Sequence, residues 1–138
     1  MKKKQVVILS VLMIVVLVGY FGIKGIKSYI DLKTYRKQVA AIAISNVDLS
    51  KVPDGTYTGS CETIWVAADV RVIVERNKIT RIELVRHKNG RGTSAEIIPD
   101  KVLEAQTLDV DLISGATVSS KVILKAIENA LNSSIKTS

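Results

Sequence analysis

Apolar and polar positions recur with different periods along this chain, and each change of period marks an element. From Val6 to Ile23 there is no period: the stretch Val-Val-Ile-Leu-Ser-Val-Leu-Met-Ile-Val-Val-Leu-Val-Gly-Tyr-Phe-Gly-Ile carries no charge. Its length of about 18 residues is close to what crosses a bilayer core as a helix. From Ser28 to about Asn46, the positions Tyr29, Ile30, Leu32, Tyr35, Val39, Ile42 and Ala43 form a loosely helical face. That spacing predicts a stalk helix continuing the anchor. Leu49 to Pro53 breaks the pattern, and Pro53-Asp54-Gly55 is a turn signal.

Beyond the turn the period falls to two. Tyr57–Cys61 is a short strand candidate, Asp69–Glu75 places Val70, Val72 and Val74 on one face, and Ile79–Arg86 sets Ile82 and Leu84 against Arg81 and Glu83. Arg76-Asn77-Lys78 joins the last two runs as an antiparallel hairpin. Helical spacing returns over Thr93–Gln106, with a restart at Pro99-Asp100. It returns again after Val118, where Val122, Ile123, Ala126, Ile127, Ala130 and Leu131 recur at three- and four-residue steps.

The predicted architecture is α+β: an antiparallel sheet flanked by helices, preceded by an N-terminal transmembrane helix. The chain divides into a basic tail (1–5), a transmembrane anchor (6–23), a helical stalk or linker (24–50), a folded domain (51–132) and a frayed polar tail (133–138). The 138 residues hold one domain and an anchor.

Charge changes the picture in one respect. The formal net charge of +7 suggests a nucleic-acid binder until it is mapped. Residues 1–37 hold eight of the 20 basic residues and only Asp31 among the 13 acids, leaving twelve of each sign beyond. The domain is therefore neutral and the basicity flanks the apolar run, so no nucleic-acid partner is expected and a lipid bilayer is. Lys2 to Lys4 would also suit a cleaved signal peptide, but Gly19–Lys27 offers no Ala-x-Ala-like site, and retention is the reading adopted. Cys61 is single, so no intrachain disulfide forms; it is a small apolar packer or a redox contact.

The candidate chemistry lies just before the last helix, in Asp111-Leu112-Ile113-Ser114-Gly115-Ala116-Thr117-Val118-Ser119-Ser120-Lys121. Gly115 admits backbone angles closed to other residues, Ala116 leaves room, and Ser114, Thr117, Ser119 and Ser120 bring hydroxyls near the unpaired amides of Val118 and its neighbours in the first turn. Such a turn is a phosphate site or an ordinary hydroxyl-capped helix start. Asp111 either orients the loop or meets a metal ion, and Lys121, one turn on, either approaches an anion or is solvated. Among the described spacings there is no His/Cys metal set, nucleophile–base pair or Walker loop.

Ser114-Gly115-Ala116-Thr117 after Asp111, followed by a hydroxyl pair and Lys121, resembles the attachment motif of the FMN-binding domain family, found in membrane-anchored subunits of sodium-pumping NADH:quinone oxidoreductases and related complexes. Asp54 to Gly59 resembles the opening of that domain, Asn77 to Thr80 its hairpin turn, and His87 to Gly92 its His- and Gly-containing loop. The similarity runs from about Asp54 to Leu131. Leu112, Ser119 and the basic Lys88 and Arg91 depart from the usual pattern.

The resemblance implies FMN carried on Thr117 through a phosphoester, installed by a separate flavin transferase that uses FAD and magnesium. Ser114, Gly115, Ala116, Asp111, Val118 and Ser119 would then surround the phosphate, with His87 and the aromatic Trp65 and Tyr57 near the flavin ring or, as such residues usually are, structural. The implied function is a membrane-anchored flavoprotein electron carrier working with membrane redox partners. The alternative is an anchored binding or assembly module with reversibly bound FMN or none. The lysines that follow the anchor favour a cytoplasmic domain, whereas the resemblance favours the extracytoplasmic side, which is the expectation adopted.

Overall fold

The computed structural model describes residues 2–136. The chain forms two compact units, one ending at Arg36 and the other beginning at Lys37.

The first unit is helical. α1 spans Lys3–Ala41, and none of its side chains is buried. Among the described residues it is the one helix long and apolar enough to cross a membrane. Large side chains from Val6 to Ile23 stand more than two-fifths exposed, with no protein over them. A continuous helix satisfies its own backbone, which is what a lipid environment demands. Near the end of the apolar run, the rings of Tyr20 and Phe21 meet edge-on at 5.7 Å, and Lys24 Nζ sits 4.8 Å over the Tyr20 ring. Aromatic and cationic side chains suit a membrane–water boundary. The predicted stalk is helical only as far as Ala41, five residues short of Asn46.

The second unit holds the sheet. After a 3-10 turn at Leu49–Lys51, β1 (Gly55–Glu62), β2 (Ala67–Glu75) and β3 (Lys78–Lys88) pair antiparallel in the order β1-β2-β3. A 3-10 turn at Thr93–Ile97 leads into α2 (Ile98–Ala105), and α3 (Thr117–Lys136) closes the domain. The expected α+β class is the observed one, and each predicted strand is present and longer than its pattern suggests.

Val70, Val72 and Val74 are buried as their alternation predicts, and α3 lays Val122, Ile123, Ala126, Ile127, Ala130 and Leu131 against them. Gly59 allows the closest approach: a Cβ there would land on the backbone of Ala126 and Ala130. The outer face of the sheet carries ion pairs, Arg71–Glu83 and Arg81–Glu83 at 2.8 Å and Arg86–Asp69 at 2.6 Å. This leaves it facing water.

Two β-bulges in β3 decide which side chains face α3. Val74 pairs with Ile79 but Ile73 with Arg81, so Thr80 is extra; Val70 pairs with Leu84 but Asp69 with Arg86, so Val85 is extra. Each bulge reverses the alternation. Ile79, then Ile82 and Leu84, then His87 therefore all share the inner face, although their spacing is not uniformly even. Without the second bulge Arg86 would point inward and His87 outward.

α2 begins with Pro99 in its first turn, at the predicted restart, and buries Ile98 and Val102. It ends on Gln106 in the left-handed conformation at φ 54. α3 runs on through Ser133–Lys136, where composition predicts a fraying tail. Within that stretch the Ser133 and Ser134 hydroxyls donate to the carbonyls of Ala130 (2.6 Å) and Leu131 (2.5 Å), and Ser134 is buried. The last two tail positions, 137–138, lie outside the described residues.

Candidate functional site

The loop before α3 is a tight turn. The Ala116 N–H donates to Ile113 O at 3.0 Å, and Gly115 has φ +80 while Ser114 stays at ordinary negative φ. Positive φ at the third position alone defines a type II turn, which calls for glycine there. Nothing lies within 4 Å of a Cβ built on Gly115, so conformation and not space requires it.

α3 starts at Thr117, and its first helical bond runs from the Ser120 N–H to Ala116 O at 2.9 Å. Ala116 thus occupies the N-cap position without a side-chain oxygen to offer. Among the described residues no side-chain oxygen accepts from the amides of Thr117, Val118 or Ser119. Three donors and the positive end of a 20-residue helix are left for an anion. Asp111, Ser114, Gly115 and Thr117 are exposed, and Val118 and Lys121 half-buried.

The hydroxyls divide differently from the pattern in sequence. Ser120 is fully buried; its hydroxyl donates to Ala116 O at 2.8 Å and accepts the Ile113 N–H at 3.1 Å. It pins the turn to the helix instead of capping it. Ser119 is also buried, packed so closely against Gly92 that a Cβ on Gly92 would overlap its Oγ. Only Ser114 and Thr117 present hydroxyls on exposed residues.

Gly92 brings in the second group. The loop before it starts at His87, whose side chain is 2% exposed. Nδ1 lies 3.0 Å from Glu96 Oε1 and 3.1 Å from Asn89 Nδ2. A proton on Nδ1 serves Glu96, and a lone pair there accepts from Asn89. Among the described residues, Nε2 is buried with no hydrogen-bond partner. Thr93 Oγ1 donates to Asn89 Oδ1 at 3.3 Å, tying the loop to the 3-10 turn. His87, Gly92 and the first turn of α3 are thereby gathered at one end of the domain.

Tyr57 is not gathered there. It sits four residues along β1 from Cys61, about 13 Å by strand rise, and its hydroxyl donates to Pro53 O at 2.7 Å. Trp65 lies in the β1–β2 loop and is 43% exposed. Cys61 pairs with Ala68, which pairs with His87, so all three line one row of the inner face. Burial raises the Cys61 thiol pKa, with the Lys125 charge opposing.

Sequence reasoning misses a clamp on α3. Glu128 is 5% exposed, accepts the Ser45 N–H at 3.1 Å and pairs with Lys125 Nζ at 3.1 Å. Lys125 Nζ also donates to Ala43 O at 2.8 Å. A Lys–Glu pair three residues apart reads as a solvated surface pair, and only the tertiary contact gives it a task. Beside it opens a cleft of about 320 Å3 lined by Ile44, Asn46, Leu108, Asp109, Val110, Leu112 and Leu124. Among the described residues no group of His, Cys, Asp and Glu could hold a metal ion.

The family model for the FMN-binding domain matches residues 64–132, which take in β2, β3, α2 and the turn into α3. Over 81 residues the chain is 35% identical to a urocanate reductase of Eggerthella lenta, covering 56% of this chain and 13% of that protein. Over 92 residues it is 39% identical to an NADH:acrylate oxidoreductase of Vibrio harveyi, covering 64% of this chain and 9% of that protein. An uncharacterized protein of Treponema pallidum is 27% identical over 85 residues, 24% of its length. The chain thus spans a small part of each relative.

Proposed function

The chain belongs to the FMN-binding domain family, and from that premise we propose that its FMN is held covalently, as a phosphoester on Thr117 Oγ1. The single observation that carries this reading is the uncapped start of α3, with an exposed threonine as its first residue. A phosphate esterified there meets the amides of Thr117, Val118 and Ser119 at the positive end of the helix. Gly115 and Ala116 keep the approach clear, and Ser114 lies on the exposed side of the turn. Fit is supported independently by His87, whose Nε2 lacks a partner among the described residues and lies at the same end of the domain.

Attachment balances as a transfer. Thr117 Oγ1 forms its bond to phosphorus as the pyrophosphate bond of FAD breaks, AMP leaves, and the hydroxyl proton passes to solvent. Asp111, exposed six residues before Thr117, is placed to meet the magnesium ion of a flavin transferase. When bound, FMN supplies the redox chemistry. The chain's own residues hold its phosphate, shield it and keep it from being lost.

The names of two relatives, a reductase and an oxidoreductase, support a role in electron transfer. With α1 in a bilayer, the protein is a tethered electron carrier serving membrane redox partners, with its domain on the extracytoplasmic side and no nucleic-acid partner. A covalent tether suits that location, where a dissociable cofactor would be diluted away.

The experiment is coexpression of the full chain with a flavin transferase, followed by denaturing electrophoresis and intact-mass measurement. The parent chain is expected to give a fluorescent band and the mass of one esterified FMN. Thr117→Val should abolish both, and Thr117→Ser should retain part of each because the nucleophilic oxygen survives. A fluorescent Thr117→Val band overturns the assignment. A parent chain that releases all its flavin on denaturation makes it a module with reversibly bound FMN.

A further inference from the structure

The cleft beside the Thr117 loop has no task in the reading above. Its volume of about 320 Å3 falls at the lower end of the ~300–1,000 Å3 usual for small-molecule sites. Ile44, Leu108, Val110, Leu112 and Leu124 give it apolar walls, and the exposed Asn46 and Asp109 complete its lining. One wall, Ile44 to Asn46, precedes the family match, which starts at residue 64. The family relation therefore assigns that wall nothing.

That wall is held with unusual care for a connecting segment. Ala43 O takes Lys125 Nζ at 2.8 Å, the Ser45 N–H donates to the buried Glu128 at 3.1 Å, and Asn46 Oδ1 accepts the Leu108 N–H at 3.1 Å. A buried carboxylate is costly unless paired and hydrogen-bonded. Here its partners all fix the segment against α3.

The position of the cleft points to its occupant. Leu124 follows Thr117 by seven residues, which returns it to within about 20° of the same helix stripe and about 10 Å along the axis. Its side chain leans back toward the N-terminus. Leu112, 38% exposed, also lines the cleft and immediately precedes the turn. Two further clefts, at Asp54–Arg76 and along Lys125–Lys136, contain no residue of the Leu112–Thr117 stretch. A flavin ring is apolar along one edge and carries amide-like N–H and C=O groups along the other. The apolar walls match the first edge; the Asn46 amide donors and the Asp109 carboxylate match the second.

We propose that the segment Ile44–Asn46, clamped by Lys125 and Glu128, is the outer wall of the seat for the isoalloxazine ring of the FMN on Thr117. The proposal rests on the covalent reading above. It makes the connection out of α1 part of the cofactor site, so that freeing the connection uncovers the ring.

The test uses the full chain, coexpressed with a flavin transferase and purified in detergent, with intact mass reporting attachment and iodide quenching of flavin fluorescence reporting ring exposure. A seat burying about 70–90% of its ligand lowers quenching by about threefold or more relative to free FMN. Ile44→Ser, Leu112→Ser and Glu128→Gln are each expected to bring quenching back toward the free value in the fraction of protein that carries the FMN mass. Leu112 is exposed, so its replacement decides the matter if circular dichroism shows another variant unfolded. A modified parent chain quenched like free FMN overturns the seat alone, as does shielding that persists in every folded variant. An unmodified parent chain overturns the covalent reading and the seat with it.

Discussion

The two ends of the sheet obey opposite rules. At the hairpin end, polar groups find partners within the chain. The Arg76 N–H donates to Asp54 Oδ1 at 2.8 Å, Gln106 bonds both backbone groups of Ile79 at 2.8 Å, and Tyr57 reaches Pro53. Arg76 and Asn77, at φ 52 and 62, form the mirror-image turn that a twisted hairpin prefers. At the other end, among the described residues, three helix amides lack side-chain acceptors and His87 Nε2 lacks a partner, while Leu112 and Thr117 are exposed. The hairpin end closes on its own chain, whereas the other end keeps donors free for the phosphate and ring of the proposed cofactor site.

The difference can be broken or sharpened by substitution. The largest expected effect comes from Gly59→Val, because its side chain must occupy the backbone of α3. Overpacking usually costs about 1–3 kcal/mol, and contact with backbone that cannot yield places this variant at or beyond the upper end. Thermal melting should show the domain lost at both ends together.

Gln106→Ala and Ser120→Ala form a matched pair, each leaving backbone groups without a partner at a cost of about 1–3 kcal/mol. Both should lower the melting temperature. Only Ser120→Ala, which frees the turn at Ile113 and Ala116, should also lower flavin attachment measured by intact mass. Equal losses of attachment in the two variants would remove the distinction between the ends.

A smaller effect of opposite sign is expected from Ala116→Ser. A capping hydroxyl supplies about 0.5–2 kcal/mol, with the lower figure expected at a buried position. Melting should rise while attachment falls, since the hydroxyl competes for the same amides. The smallest effect concerns Cys61. Its raised thiol pKa leaves less thiolate, so alkylation by iodoacetamide below the ordinary thiol pKa should be slower than for an unfolded control and should recover as pH rises.

Much of this layout was legible in sequence because local rules suffice for it. Val70, Val72 and Val74 on β2 and the apolar steps of α3 reach the core as their periods predict, and Pro99 opens α2 where a proline can. The bulges at Thr80 and Val85 were not legible, because an inserted residue looks like ordinary strand until its partner is known. For the same reason the inward direction of His87 could not be read. Ser120 looked like one hydroxyl among four, and its role appeared only when Ile113 and Ala116 were folded back over it. Tyr57 looked suited to a ring contact by composition, yet its register on β1 sets it at the other end.

The sequence by itself determined an apolar helix with no protein cover, an amphipathic last helix, a hairpin, and a glycine turn ahead of Thr117, because each depends on neighbours a few residues apart. Tertiary structure alone decided which amides stay open, which way His87 faces, and that Lys125 and Glu128 bind the segment entering the domain. Those outcomes depend on partners more than 80 residues away for the clamp and on strand register for the histidine, and no local period encodes either.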